Sequence, residues 1–165
     1  MSLPLKIFFA TLASVIVVFA AFDLRLGFGA QSVDCIDAQV FITQLRAPSL
    51  IKKDDYIVFA NTTGQKIMGS RFDGHLIVKK VGGMEGDTIK IAEQKLFIND
   101  VYIGKLDIAD KAAKELGVPV NSFEKSILIP KGKLFLVGTK PHSFDSRYWG
   151  LVDHSLIVGS VYPVI

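Results

Sequence analysis

The chain has a single cysteine, a single tryptophan and three histidines among its 165 residues. One thiol, Cys35, excludes a disulfide within the chain whatever the compartment. His75, His142, His154 and Cys35 show none of the close paired spacings that structural zinc sites use, so no metal centre is expected, and no cofactor motif stands out. Charge of one sign is also scarce: 19 basic and 16 acidic residues leave a formal net charge of +3, spread along the chain. Without a Lys/Arg block or a stripe of basic and aromatic residues, no nucleic-acid partner is expected. No internal repeat or low-complexity stretch stands out either, and the length suits one compact domain with a short appendage.

What the chain does have is apolar sequence at one end. From Ile7 to Phe22 only Thr11 and Ser14 are polar; Lys6 precedes the run, and Asp23 and Arg25 close it. Sixteen residues of helix rise about 24 Å, a little short of a hydrocarbon core of about 30 Å. Leu3, Leu5 and a snorkelling Lys6 extend the reach. Residues 1–25 therefore read as a membrane anchor, with a cleaved secretory signal as the competing reading, because Ala20-Ala21-Phe22 and Gly27–Ala30 offer small residues nearby. Positive charge ahead of the run keeps the N-terminus cytoplasmic and places residues 26–165 on the far side, although Arg25 opposes that orientation.

Beyond the anchor the pattern is one of short strands. Val40–Leu45, Asp55–Ala60, His75–Val81, Thr88–Ala92, Lys95–Ile98, Val101–Ile103, Ser126–Ile129, Lys133–Val137 and Ser155–Tyr162 are rich in β-branched and aromatic residues. Asn99-Asp100 between two apolar strands signals a tight hairpin. Ile108–Leu116, alanine- and lysine-rich and closed by Gly117 and Pro119, reads as a short helix on an insertion near 106–122. A mainly β fold follows, an antiparallel sheet or partly open barrel.

Two segments carry chemistry. In the first, His75 to Asp87, adjacent lysines Lys79 and Lys80 end an apolar strand before a glycine-rich turn. Strand alternation sends one lysine to each face. An inward Lys79 would lose its water, which disfavours the ammonium form and leaves an amine able to take a proton from a nucleophile. Two ordinary surface lysines are the plainer alternative. The second segment, Gly138 to Gly150, packs Ser143, Asp145, Arg147, Tyr148 and Trp149 into a polar loop. Asp145 and Arg147 are placed to form a local ion pair, with Ser143 donating toward a neighbouring amine; a structural turn with aromatic packing is the alternative.

Taken together, these segments resemble the type I signal peptidases. One box of that family reads Lys-Arg-x-x-Gly-x-x-Gly-Asp; counting back from Gly86-Asp87 places the catalytic lysine on Lys79 and Lys80 in the arginine slot. Another reads Ser-x-Asp-Ser-Arg-Tyr-Trp-Gly, matched by Ser143, Asp145, Ser146, Arg147, Tyr148, Trp149 and Gly150. Asp54-Asp55 before Tyr56–Phe59 is a partial match to a third. The resemblance implies a signal-peptidase-like antiparallel β-domain with one N-terminal transmembrane helix and a short helical insertion. It also implies a bacterial inner-membrane location with the domain on the periplasmic side, and a Ser/Lys-type peptidase without cofactor. Ser143 would orient Lys79, and Asp145 and Arg147 would brace the loop.

Small size and a single anchor make the chain similar to the TraF-type conjugative transfer peptidases, which process and in some cases cyclise pilin. Their nucleophile segment matches Cys35–Phe41, so Cys35 stands where that group has serine, with Ser32 as the alternative nucleophile. Asp37 replaces the usual proline, and Val33 replaces a residue whose hydroxyl helps hold the oxyanion. A thiol is a good nucleophile, and a thioester intermediate favours attack by an amine. The implied partners are a precursor or pilin substrate and membrane lipid. The rival expectation is a weak or inactive relative, a membrane-tethered β-domain that binds pilin or assembly components without turnover.

Overall fold

A computed structural model of the chain describes residues 2–28, 40–61 and 75–164. Cys35, Ser32 and Val33 lie outside the described residues.

The apolar run forms α1 (Leu3–Ala21), with proline in its first turn, where a fixed φ and a missing N–H cost nothing. Its 19 residues rise about 28 Å, and none is buried. Asp23, in the left-handed conformation at φ 52°, turns the chain into β1 (Leu24–Phe28), which begins inside the stretch expected to be anchor.

Two antiparallel sheets follow. The larger comprises β1, β2 (Val40–Gln44), β3 (Tyr56–Ala60), β4 (Leu76–Gly83), β9 (Lys133–Val137), β10 (Val152–Asp153) and β11 (Ile157–Pro163), in the order β1-β2-β11-β3-β4-β9-β10. The smaller comprises β5 (Thr88–Ala92), β6 (Lys95–Ile98), β7 (Val101–Lys105) and β8 (Lys125–Leu128), in the order β7-β6-β5-β8. The Asn99-Asp100 hairpin is as expected, with both residues at positive φ (51° and 63°), the signature of the turn whose twist matches its strands. Glu93-Gln94 makes a second turn of the same kind between β5 and β6 without any of the usual glycine or asparagine–glycine cues, which is why the sequence did not announce it. Gly159 sits where β11 passes the end of β2; a Cβ there would overlap the Gln44 carbonyl oxygen.

The insertion carries α2 (Ala109–Leu116), which buries Ala109, Ala112 and Ala113 and stops at a left-handed Gly117. Together with Ile89, Ile91, Leu96, Phe123 and Phe135, it builds one core beside the small sheet. A second core lies on one face of the large sheet around Ile57, Phe59, Val81 and Leu136. The segment between them departs from expectation: Ser146–Trp149, read as loop, is a helical turn, α3, because Asp145 caps it by accepting from the Arg147 N–H. Strands β1 and β10 are also additions. The first follows the anchor too closely to be told from it, and the second, at two residues, is too short to leave a pattern. The last strand starts at Ile157, after a 3-10 turn over His154–Leu156.

Candidate active site

Strand β4 lies between β3 and β9, so its pleat decides what its two lysines meet. Lys79 is opposite Ile57 and on the same face as Val81, and it is 0% exposed. Its Nζ donates to Ser143 Oγ at 2.8 Å, and among the described residues no carboxylate pairs with it. Lys80 turns to the other face, where its Nζ meets Asp54 Oδ1 at 2.9 Å near the surface. The structure therefore brings Lys79 and Ser143 together and leaves Lys80 apart from them.

The loop that supplies Ser143 is fixed by its own carboxylate. Asp145 is 0% exposed and Arg147 only 7%. Arg147 Nε donates to Asp145 Oδ1 at 2.8 Å, and Nη2 donates to Oδ2 at 2.7 Å, a two-pronged pair. Oδ2 also accepts from the Gly138 N–H at 2.8 Å, tying the loop to the end of β9. Burial opposes the charge on Arg147, but the hydrogen bonds and charge of Asp145 outweigh it and raise its affinity for the proton above the ordinary guanidinium level. The remaining donors reach outward: Nη2 to the Ser143 carbonyl at 3.2 Å and Nη1 to the Lys105 carbonyl at 2.8 Å. Arg147 thus holds the backbone of the very residue whose hydroxyl meets Lys79.

Four residues of the sequence motifs also find their places. Ser146 Oγ, fully buried, accepts from the Leu136 N–H at 2.9 Å and docks α3 onto β9. Tyr148 and Trp149 point to opposite sides, the first into the core of the insertion and the second onto Phe59, with ring centroids 5.9 Å apart. Asp87, which ends the glycine-rich turn, accepts from the Met84 N–H at 2.9 Å and from Asn99 Nδ2 at 2.6 Å. It is a brace between the turn after β4 and the β6–β7 hairpin rather than a member of the Lys79 site.

The arrangement offers a buried amine, a hydroxyl that holds it and a rigid turn that holds the hydroxyl, which is equipment for moving a proton. Comparison with known proteins identifies the family. The family profile described as signal peptidase, peptidase S26, matches residues 3–165. Signal peptidase I of Bacillus amyloliquefaciens is 36% identical over 87 residues, 50% of this chain and 45% of that protein. Signal peptidase I V of Bacillus subtilis (strain 168) is 29% identical over 96 residues, 54% of this chain and 57% of that one. Thylakoidal processing peptidase 1, chloroplastic, of Arabidopsis thaliana is 28% identical over 85 residues, 51% of this chain and 23% of that one. The alignments span about half the length of the two bacterial relatives. A crystal structure of a signal peptidase I from Enterococcus faecalis V583 is similar at a TM-score of 0.40 and 22% identity, covering 68% of this chain and 97% of that one. That likeness is too loose to add to the family match. Since the profile runs over nearly the whole sequence, the chain belongs to the signal peptidase family, peptidase S26.

Proposed function

We propose that the chain is a membrane-anchored endopeptidase acting on a secreted precursor, with the amine of Lys79 as general base. The observation that carries this reading is Lys79 itself, without exposed surface and held by a neutral hydroxyl at 2.8 Å. A general base has to be held in place by neighbours within hydrogen-bond reach, and Ser143 holds Lys79 in that way inside the sheet. Asp145 and Arg147 support the reading by neutralising each other, so that the loop delivers a hydroxyl to Lys79 without adding a net charge beside it.

The nucleophile comes from sequence register alone: Cys35, with Ser32 as the alternative. In this scheme Lys79 takes the thiol proton and the sulfur attacks the scissile carbonyl carbon. A backbone N–H holds the oxyanion while the tetrahedral adduct lasts. Collapse breaks the C–N bond, and Lys79 returns the proton to the leaving amine, which gives a thioester. Water then releases the carboxylate and restores the thiol. If the substrate's own amino group attacks instead, the product is a cyclic amide, which is the finer proposal of a pilin-type substrate. The helix α1, apolar and without a buried residue, would hold the domain beside the inner membrane on its periplasmic side.

The test uses the full chain in detergent and a precursor peptide with an A-x-A-like site, followed by mass. Wild type should cut it, and Lys79→Ala should lose roughly 10²–10⁴-fold in rate. Cys35→Ala and Ser32→Ala, run side by side, assign the nucleophile. Cleavage by Lys79→Ala at the wild-type rate would end the general-base reading. Binding without cleavage by wild type would point to the tethered, non-catalytic domain.

A further inference from the structure

The insertion between β7 and β8 has no part in the scheme above, yet it grips Tyr148 of the helical turn that follows Ser143, next to Arg147, which holds the last residue of β7. We infer that this insertion positions the Lys79–Ser143 pair, and that Tyr148 is the positioning residue through which it acts. The inference rests on the proposed role of Lys79.

Two polar contacts clamp residues 147–148 to the junction between β7 and α2. Arg147 Nη1 donates to the Lys105 carbonyl at 2.8 Å, and the Ile108 N–H donates to the Tyr148 hydroxyl at 3.3 Å. Ile108 is the N-cap residue of α2, so its N–H has no acceptor within the helix and the tyrosine supplies one. The Tyr148 ring lies edge-on to Phe123 at 5.3 Å and stacks on Phe144 at 5.7 Å and 18°. Phe123 belongs to the insertion; Phe144 is the chain neighbour of Ser143. Arg147, whose guanidinium sits 5.6 Å from the centre of the Tyr148 ring, also holds the Ser143 carbonyl. From α2 to Ser143 Oγ, and so to Lys79 Nζ, every step is a direct contact or a peptide bond.

Packing alone does not call for the hydroxyl. Phenylalanine fills nearly the same volume, and a buried tyrosine oxygen is tolerated only when it finds a partner. The oxygen is there to join the two segments. Burial raises the proton affinity of that hydroxyl, against the opposing hydrogen bond from Ile108 and the charge of Arg147, so it stays a neutral phenol and a stable acceptor.

The experiment compares the full-length wild type with Tyr148→Phe, which removes one oxygen, and Phe123→Leu, which loosens the contact from the insertion side. Both are checked for folding by near-ultraviolet circular dichroism. With ¹⁵N-lysine labelling, the Nζ resonance of Lys79, assigned with Lys79→Met, should shift in both variants while those of the surface lysines stay in place. With the precursor peptide, kcat should fall about three- to tenfold with KM unchanged, as expected when ground-state binding is untouched. Folded variants with an unmoved Lys79 resonance and wild-type kcat would reduce the insertion to packing and overturn the inference. The resonance makes the two failures separable: if Lys79→Ala proves fully active the general-base reading falls, while the shift still reports whether the insertion sets the position of Lys79.

Discussion

The two faces of β4 carry the same side chain in adjacent positions and treat it in opposite ways. On the inner face Lys79 is sealed from water among Ile57, Val81 and Leu136 and meets only a hydroxyl among the described residues. On the outer face Lys80 keeps 29% of its side chain exposed and pairs with Asp54, itself 72% exposed. The first environment holds the side chain against a single hydroxyl away from solvent, and the second leaves it in a surface ion pair. The difference comes from the pleat of one strand, and it teaches that residue type alone says little about a lysine: the face decides whether it is chemistry or solvation.

The inner face depends most on the charge pair that steadies the loop above it. Asp145→Asn leaves Arg147 buried and charged without its carboxylate, and stability should fall by about 3–5 kcal/mol. Chemical denaturation measures this directly; a loss under about 1 kcal/mol would mean the pair is not confined as described.

A smaller effect separates the lysines themselves. Lys79→Met deprives the buried Ser143 hydroxyl of its partner, at about 1–3 kcal/mol, whereas Lys79→Met combined with Ser143→Ala removes both partners and should return close to wild-type stability. Lys80→Met, losing an ion pair open to solvent, should change stability by about 0–1 kcal/mol. The contrast dissolves if the double variant is as unstable as the single one, or if Lys80→Met matches Lys79→Met.

The smallest effect is confined to acid. Burial would raise the Asp87 carboxyl, but the Met84 N–H, the Asn99 amide and Lys53 outweigh it and hold it below the ordinary value of 3.8. A carboxylate lowered in the folded state stabilises fully above its unfolded value and loses that contribution as pH falls through the folded value. Urea midpoints of wild type should therefore drop as the pH falls below about 4, and Asp87→Asn should lack that share of the decline. Parallel acid limbs in the two proteins would remove Asp87 from the braces that keep the turn after β4 in place.

Much of this was legible along the chain. The apolar run, the run of short strands, the Asn99-Asp100 hairpin and the helix of the insertion follow from periodicity and turn chemistry, which are local properties. Other elements were not. The helical turn at Ser146–Trp149 depends on Asp145 folding back onto the N–H of Arg147, in a segment too short to show a helical period. β1 and β10 exist because partners from distant sequence pair with them. The motif containing Ser146 and Tyr148 was visible, but their partners, Leu136 and Ile108, lie 10 and 40 residues away.

Along the chain, strand alternation already sent two neighbouring lysines to opposite faces and set an acid and a base two residues apart within reach of each other. Which of the two is buried, and what it meets, follows from packing between distant segments. Alternation along a strand is set by the backbone. The identity of each face is set by what packs against it, and here Ser143 arrives from 64 residues away.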